Sequence, residues 1–142
     1  MRLLDLAEHS QYFDLYKTMW QNFLREQQMV AHQGEGRTIF LIEEKGDIVG
    51  FCEIALEEEC NPDEDMPELC LKVYGFYILP EKRHHELGRD AFKLMRQWGR
   101  DNKAALLEVE VSKVLKFSND FLKEQGLELA GSGQTNIWRG FN

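Results

Sequence analysis

The sequence predicts a single domain of the α/β (α+β) class. Its 142 residues can form one adequate hydrophobic core. An apolar fraction of 43% is typical of folded globular proteins and argues against disorder. The clearest sign of both element types is a change of period between residues 71 and 98, where a strand pattern gives way to a helical one. No repeat or interdomain linker interrupts the chain, so we expect one domain over residues 1–142.

Residues 69–79 form the predicted strand of this central unit. They include Val73, Phe76 and Ile78, which are β-branched or aromatic and suit a buried strand. Pro80 ends the strand because it has no N–H group to donate. The helix follows from residue 87 to about residue 102. Its predicted apolar stripe consists of Leu87, Ala91, Leu94, Met95 and Trp98.

A basic turn connects the strand to the helix. Lys82 and Arg83 lie in the turn, Gly88 lies at the entrance of the helix and Arg89 lies in its first turn. A helix N-terminus presents free N–H groups and the positive end of the helix dipole, so it can bind a phosphate group. The pattern therefore fits an anion site, with a solvated basic turn as the plainer interpretation.

The stretch from Tyr77 to Arg89 resembles the acetyl-CoA motif of the GNAT superfamily of N-acetyltransferases. Its sequence is Tyr-Ile-Leu-Pro-Glu-Lys-Arg-His-His-Glu-Leu-Gly-Arg. In that motif a strand is followed by an R/Q-x-x-G-x-G/A turn that opens a long helix. Arg83 takes the first place and Gly88 the last, whereas Glu86 replaces the first glycine.

The resemblance implies that acetyl-CoA is the cosubstrate. It assigns cofactor binding to the end of the strand, the turn and the start of the helix. The implied residues are Tyr77, Ile78, Leu79, Arg83, His84, His85, Glu86, Leu87, Gly88, Arg89 and, from a later helix, Asn119.

The other elements follow in an order that also resembles the GNAT fold. We expect strands at 1–6, 38–43, 48–56, 105–111, 127–130 and 136–141, a helix or two over 9–29, and a short helix around 114–121 closed by Gly126. The resemblance implies a central mixed, mostly antiparallel sheet flanked by helices. It also places Leu122 where many members have a tyrosine that protonates the leaving thiolate.

The stretch from Glu57 to Glu68 is the most acidic part of the chain. It contains seven carboxylates and no Lys or Arg, and Pro62 and Pro67 favour a loop. One interpretation is a solvated loop; another is a collar that attracts a cationic amine. Calcium binding is disfavoured because the spacing does not match an EF-hand, and no metal site is expected. A net charge of −8 argues against nucleic acid as a partner.

No apolar run approaches the length that spans a bilayer, and the N-terminus lacks a signal-peptide core. We therefore expect a cytoplasmic protein with no membrane partner.

Cys52, Cys60 and Cys70 have no metal-ligand spacing and are expected to be reduced thiols. The sequence leaves a homodimer open.

Acetyl transfer to an amine requires a base, a polarised thioester carbonyl and good geometry. Tyr74 is the first choice as the base, because the resemblance places it facing the acceptor; Glu53 is the next candidate. Glu108 and Glu110 are further candidates. With Leu122 in the tyrosine place, Tyr77 or a water molecule would have to protonate the thiolate. Trp20 or Phe23 could border the acceptor pocket.

The sequence therefore predicts an N-acetyltransferase that acts on a primary amine of a small molecule or peptide. A cationic acceptor, such as a polyamine, an aminoglycoside or a peptide amine, would suit the acidic stretch. The main alternative is a catalytically degenerate GNAT-like module that senses CoA or has a structural role. A third interpretation is an acidic protein-interaction domain that needs no CoA.

Overall fold

The computed structural model describes residues 1–28, 36–59, 67–83, 86–113, 116–133 and 135–142. The strands are β1 (Arg2–Asp5), β2 (Thr38–Glu44), β3 (Asp47–Glu59), β4 (Glu68–Ile78), β5 (Leu106–Ser112), β6 (Glu128–Ser132) and β7 (Thr135–Phe141). The helices are α1 (Phe13–Gln27), α2 (Leu87–Asp101) and α3 (Lys116–Glu124). Short 3-10 turns at Leu6–Glu8 and Ser10–Tyr12 precede α1, and another at Pro80–Lys82 follows β4. None of the helices in these ranges is long and apolar enough to cross a membrane.

The seven strands form one sheet in the order β1-β2-β3-β4-β5-β7-β6. Every neighbouring pair is antiparallel except β4 and β5, which are parallel. A parallel pair needs a crossover connection, and α2 lies in that crossover. The predicted α/β class, with a mixed, mostly antiparallel sheet flanked by helices, is confirmed.

The two faces of the sheet are covered by different helices. On one face Met19 and Phe23 of α1 pack against Phe51 of β3 and Tyr77 of β4. On the other face the core combines residues of β3, β4, β5 and β7 with residues of α2 and α3. Its buried members include Ile54, Leu71, Val73, Phe92, Met95, Leu107, Val109, Leu122 and Trp138. Alternating strand residues therefore pack on opposite faces of the sheet, as its pleat requires.

The buried stripe of α2 differs from the predicted one. Leu87, Ala91 and Met95 are buried as expected, but Phe92 is only 1% exposed, whereas Leu94 and Trp98 are only partly buried. The stripe is rotated because Phe92 fits between the aromatic rings of Phe76 and Phe121. Those two rings are themselves only partly buried, while Ile78 is buried as predicted and Val109 is also buried.

The prediction of a loop from Glu57 to Glu68 is wrong at both ends. Strand β3 continues to Glu59 and β4 begins at Glu68, with these two residues opposite each other. The strand tolerates its carboxylates because Lys72 lies 3.0 Å from Glu57 and 3.2 Å from Glu59. Residues 60–66 lie outside the described residues.

Two connections contain a glycine with a positive φ angle, and the second of them, at Gly126, follows the sequence prediction. Lys45 and Gly46 join β2 to β3 with positive φ angles of 51° and 85°, as a two-residue hairpin turn requires. Gly126 has a φ of 84° and closes α3. Cys52 and Cys70 are buried free thiols whose pKa values are raised by burial to about 12 and about 11, which fits a packing role.

Candidate active site

Strands β4 and β5 begin as a parallel pair and then separate. The last pair of their ladder is Val73 opposite Val109, although β4 continues to Ile78 and β5 to Ser112. Beyond that pair β4 stays bonded to β3, and β5 stays bonded to β7. Two separating strands turn unpaired peptide groups toward each other. An extended ligand that carries amide groups can bind such an edge in the way that an added strand does.

A β-bulge at Tyr74 lies where this opening begins. Glu53 of β3 is opposite Gly75, whereas the next residue of β3 is opposite Val73, so Tyr74 is the extra residue. The bulge changes the face of the sheet to which the β4 side chains point. Val73 belongs to the core under α2, whereas a Cβ atom at Gly75, two residues later, would meet Phe23 of α1. Bulges bend and twist a strand, which accounts for the separation of β4 from β5 at this level.

The Glu53 carboxylate is almost fully buried beside the bulge. The residue is 7% exposed, and its Oε1 atom lies 3.6 Å from Nη1 of Arg37. The other oxygen, Oε2, has no hydrogen-bond partner among the described residues. Burial raises the pKa of Glu53, and the guanidinium of Arg37 partly opposes that effect. Such a carboxylate can accept a proton or a hydrogen bond from an amine near neutral pH.

The Tyr74 side chain contributes an aromatic face and a hydroxyl donor. The guanidinium carbon of Arg37 lies 3.6 Å from the centre of the Tyr74 ring, which is a cation–π contact. The Tyr74 hydroxyl donates to Glu57 over 3.1 Å. Burial, together with this hydrogen bond, raises the pKa of Tyr74. Tyr74 therefore stays protonated at neutral pH and acts as a donor at this location.

Charged side chains continue from this point across the same face of the sheet. Glu108 of β5 lies 3.5 Å from Lys72 and 3.1 Å from Arg139 of β7. Arg139 also pairs with Glu59. In the described part of this face, four carboxylates (Glu53, Glu57, Glu59 and Glu108) pair with three cations (Arg37, Lys72 and Arg139). A fifth carboxylate, Glu110, accepts a hydrogen bond from Thr135. The face is therefore acidic where it borders the opening, and it favours a cationic ligand.

The predicted site residues at the end of β4 have structural roles. Tyr77 is 2% exposed, and its ring stacks on Phe51 with 5.7 Å between ring centres. Its buried hydroxyl makes no hydrogen bond of standard geometry within the described chain, and burial raises its pKa. Ile78 ends the strand, and the Leu79 N–H donates to the carbonyl of Val49 over 2.8 Å.

Arg83 connects the end of β4 to α1. Its Nε atom donates to the Ile78 carbonyl over 2.6 Å, and its Nη2 atom lies 2.8 Å from the carboxylate of Glu26. Its guanidinium also lies 5.0 Å from the centre of the Tyr77 ring. Arg83 thus stabilises the end of the strand, and its predicted contact with a CoA phosphate stays a prediction.

The start of α2 accepts Glu86 without strain. Glu86 has a φ of −115°, a value open to any residue, and its side chain is exposed. The first helical hydrogen bond runs from the Asp90 N–H to the Glu86 carbonyl over 2.8 Å. Helix geometry leaves the preceding amides, those of Leu87, Gly88 and Arg89, without an intrahelical acceptor. His84 and His85 lie outside the described residues.

A basic groove of about 390 Å³ runs along α2 from its first turn. It is lined by Arg89, Asp90, Lys93, Arg96, Arg100 and Gln125. Arg96 and Arg100 donate to the carbonyl groups of Phe141 and Asn142 over 2.8 and 3.0 Å. Arg89 makes a looser contact of 3.4 Å with Glu124, in which both side chains are more than 60% exposed. Arg89 is therefore the cation best placed to bind an anion beside the start of α2.

The sequence predicts functional roles for two positions of α3, Asn119 and Leu122. The side-chain oxygen Oδ1 of Asn119 accepts hydrogen bonds of 2.9 Å from the Asn136 side chain and from Nε1 of Trp138, and its side-chain nitrogen donates to the Ser112 carbonyl. Asn119 thus joins α3 to β5 and β7, and its cofactor role stays a prediction. Leu122 is 4% exposed within the core, so this position presents no proton donor to the opening.

Arg37 is the residue of this site that the sequence did not indicate. It immediately precedes β2, and its two partners, Glu53 and Tyr74, come from β3 and β4. Nothing in its local sequence marks it as functional. A search for basic residues just outside strand ends would have included it among several others.

Comparison with known proteins agrees with this geometry. The profile of the Acetyltransferase (GNAT) family matches residues 2–127. A mutant of the BH1408 protein from Bacillus halodurans is 14% identical and superposes with a TM-score of 0.68, covering 93% of this chain and 94% of that one. No curated protein shows a significant sequence match.

Two further structures share the fold. NAA60 from Arabidopsis thaliana, solved with a bisubstrate analogue, is 7% identical, with a TM-score of 0.70 and 94% of each chain covered. The aminoglycoside N-acetyltransferase AAC(6')-Iy, solved in complex with CoA, is 14% identical, with a TM-score of 0.66 and 93% of each chain covered.

The mixed sheet and its flanking helices form the GNAT acetyltransferase fold. The chain belongs to the Acetyltransferase (GNAT) family. This fold supports acyl transfer from CoA to an amine in general.

Proposed function

We propose that this protein is an N-acetyltransferase that moves an acetyl group from acetyl-CoA to a primary amine, with a cationic acceptor. The observation that carries the proposal is the buried Glu53 carboxylate, whose Oε2 has no hydrogen-bond partner among the described residues and which lies beside the β4 bulge where the opening begins. Membership of the GNAT family supports acetyl-CoA as the donor. So does the CoA complex of the structurally similar aminoglycoside N-acetyltransferase.

The residues present fit acetyl-CoA at two points. The edge of β4 beyond Val73 can pair with the amide groups of the pantetheine arm. The amides at the start of α2 and the exposed Arg89 suit the phosphate groups. When bound, acetyl-CoA supplies an activated thioester carbonyl. The open strand edge and the helix start are features of this chain that such a cosubstrate requires.

Glu53 is better suited than Tyr74 to act as the base. Its raised pKa brings the carboxyl closer to neutral pH, where a base is most effective, whereas the raised pKa of Tyr74 moves that hydroxyl further from it. In this mechanism Glu53 accepts a proton from the acceptor ammonium, directly or through one water molecule. Tyr74 presents its ring face to the cation and keeps its hydroxyl bonded to Glu57.

The acceptor class follows from the charge of the surrounding face. In the described part of this face the four paired carboxylates and Glu110 outnumber the three cations, so the face attracts a cationic amine and repels an anionic one. Polyamines, aminoglycosides and basic peptide amines all meet this requirement. The structural similarity to an aminoglycoside N-acetyltransferase supports an acceptor of this cationic kind.

Release of free thiol from acetyl-CoA, measured against a panel of cationic, neutral and anionic amines, tests the proposal. Glu53→Gln should abolish amine-dependent release while CoA binding persists. Glu110→Gln is a matched control, because Glu110 lies on the same face and bonds to Thr135. Equal activity in the wild type and the Glu53→Gln variant would reject Glu53 as the base.

A catalytically degenerate CoA-binding module is the second candidate. The observation that favours it is Leu122, which is buried where many family members have the proton-donating tyrosine. In that case acetyl-CoA binds, but no amine in the panel releases thiol above the rate of spontaneous hydrolysis. The same assay therefore separates the two candidates.

A further inference from the structure

Glu53 and Tyr74 form a cation site that the protein fills with its own Arg37. The guanidinium lies 3.6 Å from the centre of the Tyr74 ring and 3.6 Å from Oε1 of Glu53. An aromatic face beside a carboxylate is the arrangement that binds an alkylammonium or guanidinium ligand. Arg37 thus makes the contacts that a cationic ligand would make in the same place.

The contact between Arg37 and Glu53 is loose. At 3.6 Å it is longer than a hydrogen bond, whereas Arg2 pairs with Glu43 at 2.8 Å and Arg83 pairs with Glu26 at 2.8 Å. The Arg37 side chain is also 17% exposed, so solvent reaches it. To leave this place the guanidinium gives up its contact with the Tyr74 ring but breaks no well-formed ion pair.

Within the described part of the chain, the second oxygen of Glu53 is free to accept a hydrogen bond from a ligand. Oε2 has no partner in the described chain, and the residue is more than nine-tenths buried. A buried carboxylate oxygen is normally hydrogen-bonded, so one left without a donor indicates an incomplete site. A ligand N–H can reach Oε2 once the guanidinium no longer covers the carboxylate.

We propose that Arg37 occupies the place of the acceptor's cationic group and is displaced by it, so that Arg37 selects acceptors with a compact ammonium or guanidinium head. This inference rests on the proposed function, because it names the acceptor chemistry of the same site. Displacement keeps the local charge constant, since one cation replaces another beside Glu53 and Tyr74. A neutral or anionic amine provides no such exchange and leaves Arg37 in place.

Calorimetry with methylguanidine, performed without acetyl-CoA, tests the inference directly. Arg37→Ala empties the site, so it should bind methylguanidine at least tenfold more tightly than the wild type. The double variant Arg37→Ala with Glu53→Gln should lose this gain. Arg139→Ala is the matched control, because it removes another arginine that pairs with carboxylates on the same face. It should bind methylguanidine no better than the wild type.

Arg37→Lys retains a cation and should resemble the wild type, and Arg37→Ser provides a second truncation if the alanine variant does not fold. Equal binding by the wild type and both truncations would overturn the inference, as would a gain that survives Glu53→Gln. Either result would leave the transferase proposal standing, because that proposal depends on thiol release. Conversely, a protein that releases no thiol but gains methylguanidine binding in Arg37→Ala would retain the cation site and lose the transferase function.

Discussion

Val73 of β4 lies opposite Val109 of β5 at the point where these two parallel strands begin to separate. The next residue of β4 is the bulged Tyr74, and the residue after it lies opposite Glu53. The opening and the buried carboxylate therefore have a common structural origin. A change that straightened β4 at this level would affect both the strand edge and the cation site.

The close packing of β3 on β4 depends on Gly50. A Cβ atom at this position would lie 2.0 Å from the carbonyl oxygen of Tyr77, which is backbone and cannot rotate away. Gly50→Ala should therefore lower the free energy of unfolding by about 1–3 kcal/mol or more, the usual cost of overpacking. Urea denaturation measures this change.

Gly88→Ala provides a matched control for that experiment. Apart from its chain neighbours and the backbone of its own helix, no atom of the described residues lies within 4 Å of the place a Cβ would take, and the residue is in the first turn of α2. Alanine should leave the unfolding midpoint unchanged or raise stability by about 0.5–1 kcal/mol, because glycine is a poor helix former. Equal destabilisation by the two substitutions would show that the predicted clash at Gly50 is relieved.

The buried face of α2 predicts a ranking of two aromatic truncations. Phe92 is 1% exposed between two other rings, whereas Trp98 is partly buried and meets Phe40 edge-on at 5.2 Å between ring centres. Phe92→Ala should cost about 3–5 kcal/mol, the scale for a fully buried aromatic residue, and Trp98→Ala should cost less. Guanidinium denaturation of both variants tests this order, and a larger loss for Trp98→Ala would contradict the packing.

The order of elements was predictable because each has a strong local signal. The strand before Pro80, the helix from Leu87 and the turns at Gly46 and Gly126 follow from period and backbone preference. The rotation of the α2 stripe was not predictable, since two adjacent positions, Ala91 and Phe92, both satisfy a helical period. Packing against neighbouring rings decides between such positions.

The sequence did not predict the acidic strand ends or the cation site formed by Glu53 and Tyr74, for a related reason. Glu57 and Glu59 suggest a loop until Lys72 and Arg139 are known to lie beside them. Arg37 acquires its role only through partners on two other strands. Long-range pairing of this kind leaves no local trace in one sequence.

The burial of Glu53 predicts a pH-dependent effect on stability. Its pKa in the folded protein is raised above the ordinary 4.5, with burial as the main cause and Arg37 opposing it. The folded state therefore favours the protonated form, so this contribution to stability is present below pH 4.5 and is lost as the pH rises through the folded pKa. Glu53→Gln stays neutral, and its stability relative to the wild type should increase across that range.

Thermal unfolding of both proteins at a series of pH values measures the difference. Tyr16 of α1 also lies near Glu53, but its pKa is raised by burial to about 12, so it does not titrate in this range. A difference between the two melting temperatures that stays constant from pH 4 to pH 8 would show that the Glu53 pKa is not raised. A protein that becomes more stable while losing activity would fit a buried catalytic carboxylate.

The start of α2 predicts opposite effects of two charge changes on acetyl-CoA affinity. Arg89→Ala should weaken binding by about 1–3 kcal/mol, the scale of a hydrogen bond to a charged group. Glu86→Gln should strengthen it, because it removes a carboxylate near the phosphates. Glu86→Gly should give no larger gain, since the φ of −115° imposes no strain that glycine could relieve. A much larger gain for glycine would mean that the turn changes its backbone on binding.

Calorimetric titration of the wild-type protein with acetyl-CoA tests the central claim most directly. The opening beyond Val73 and Val109, together with the start of α2, predicts saturable binding with a dissociation constant between about 1 μM and 1 mM, where KM values usually lie. Arg89→Ala should weaken that binding, and measurement at two temperatures guards against an enthalpy near zero. No heat at either temperature with millimolar acetyl-CoA would contradict the assignment of this opening as a cosubstrate site.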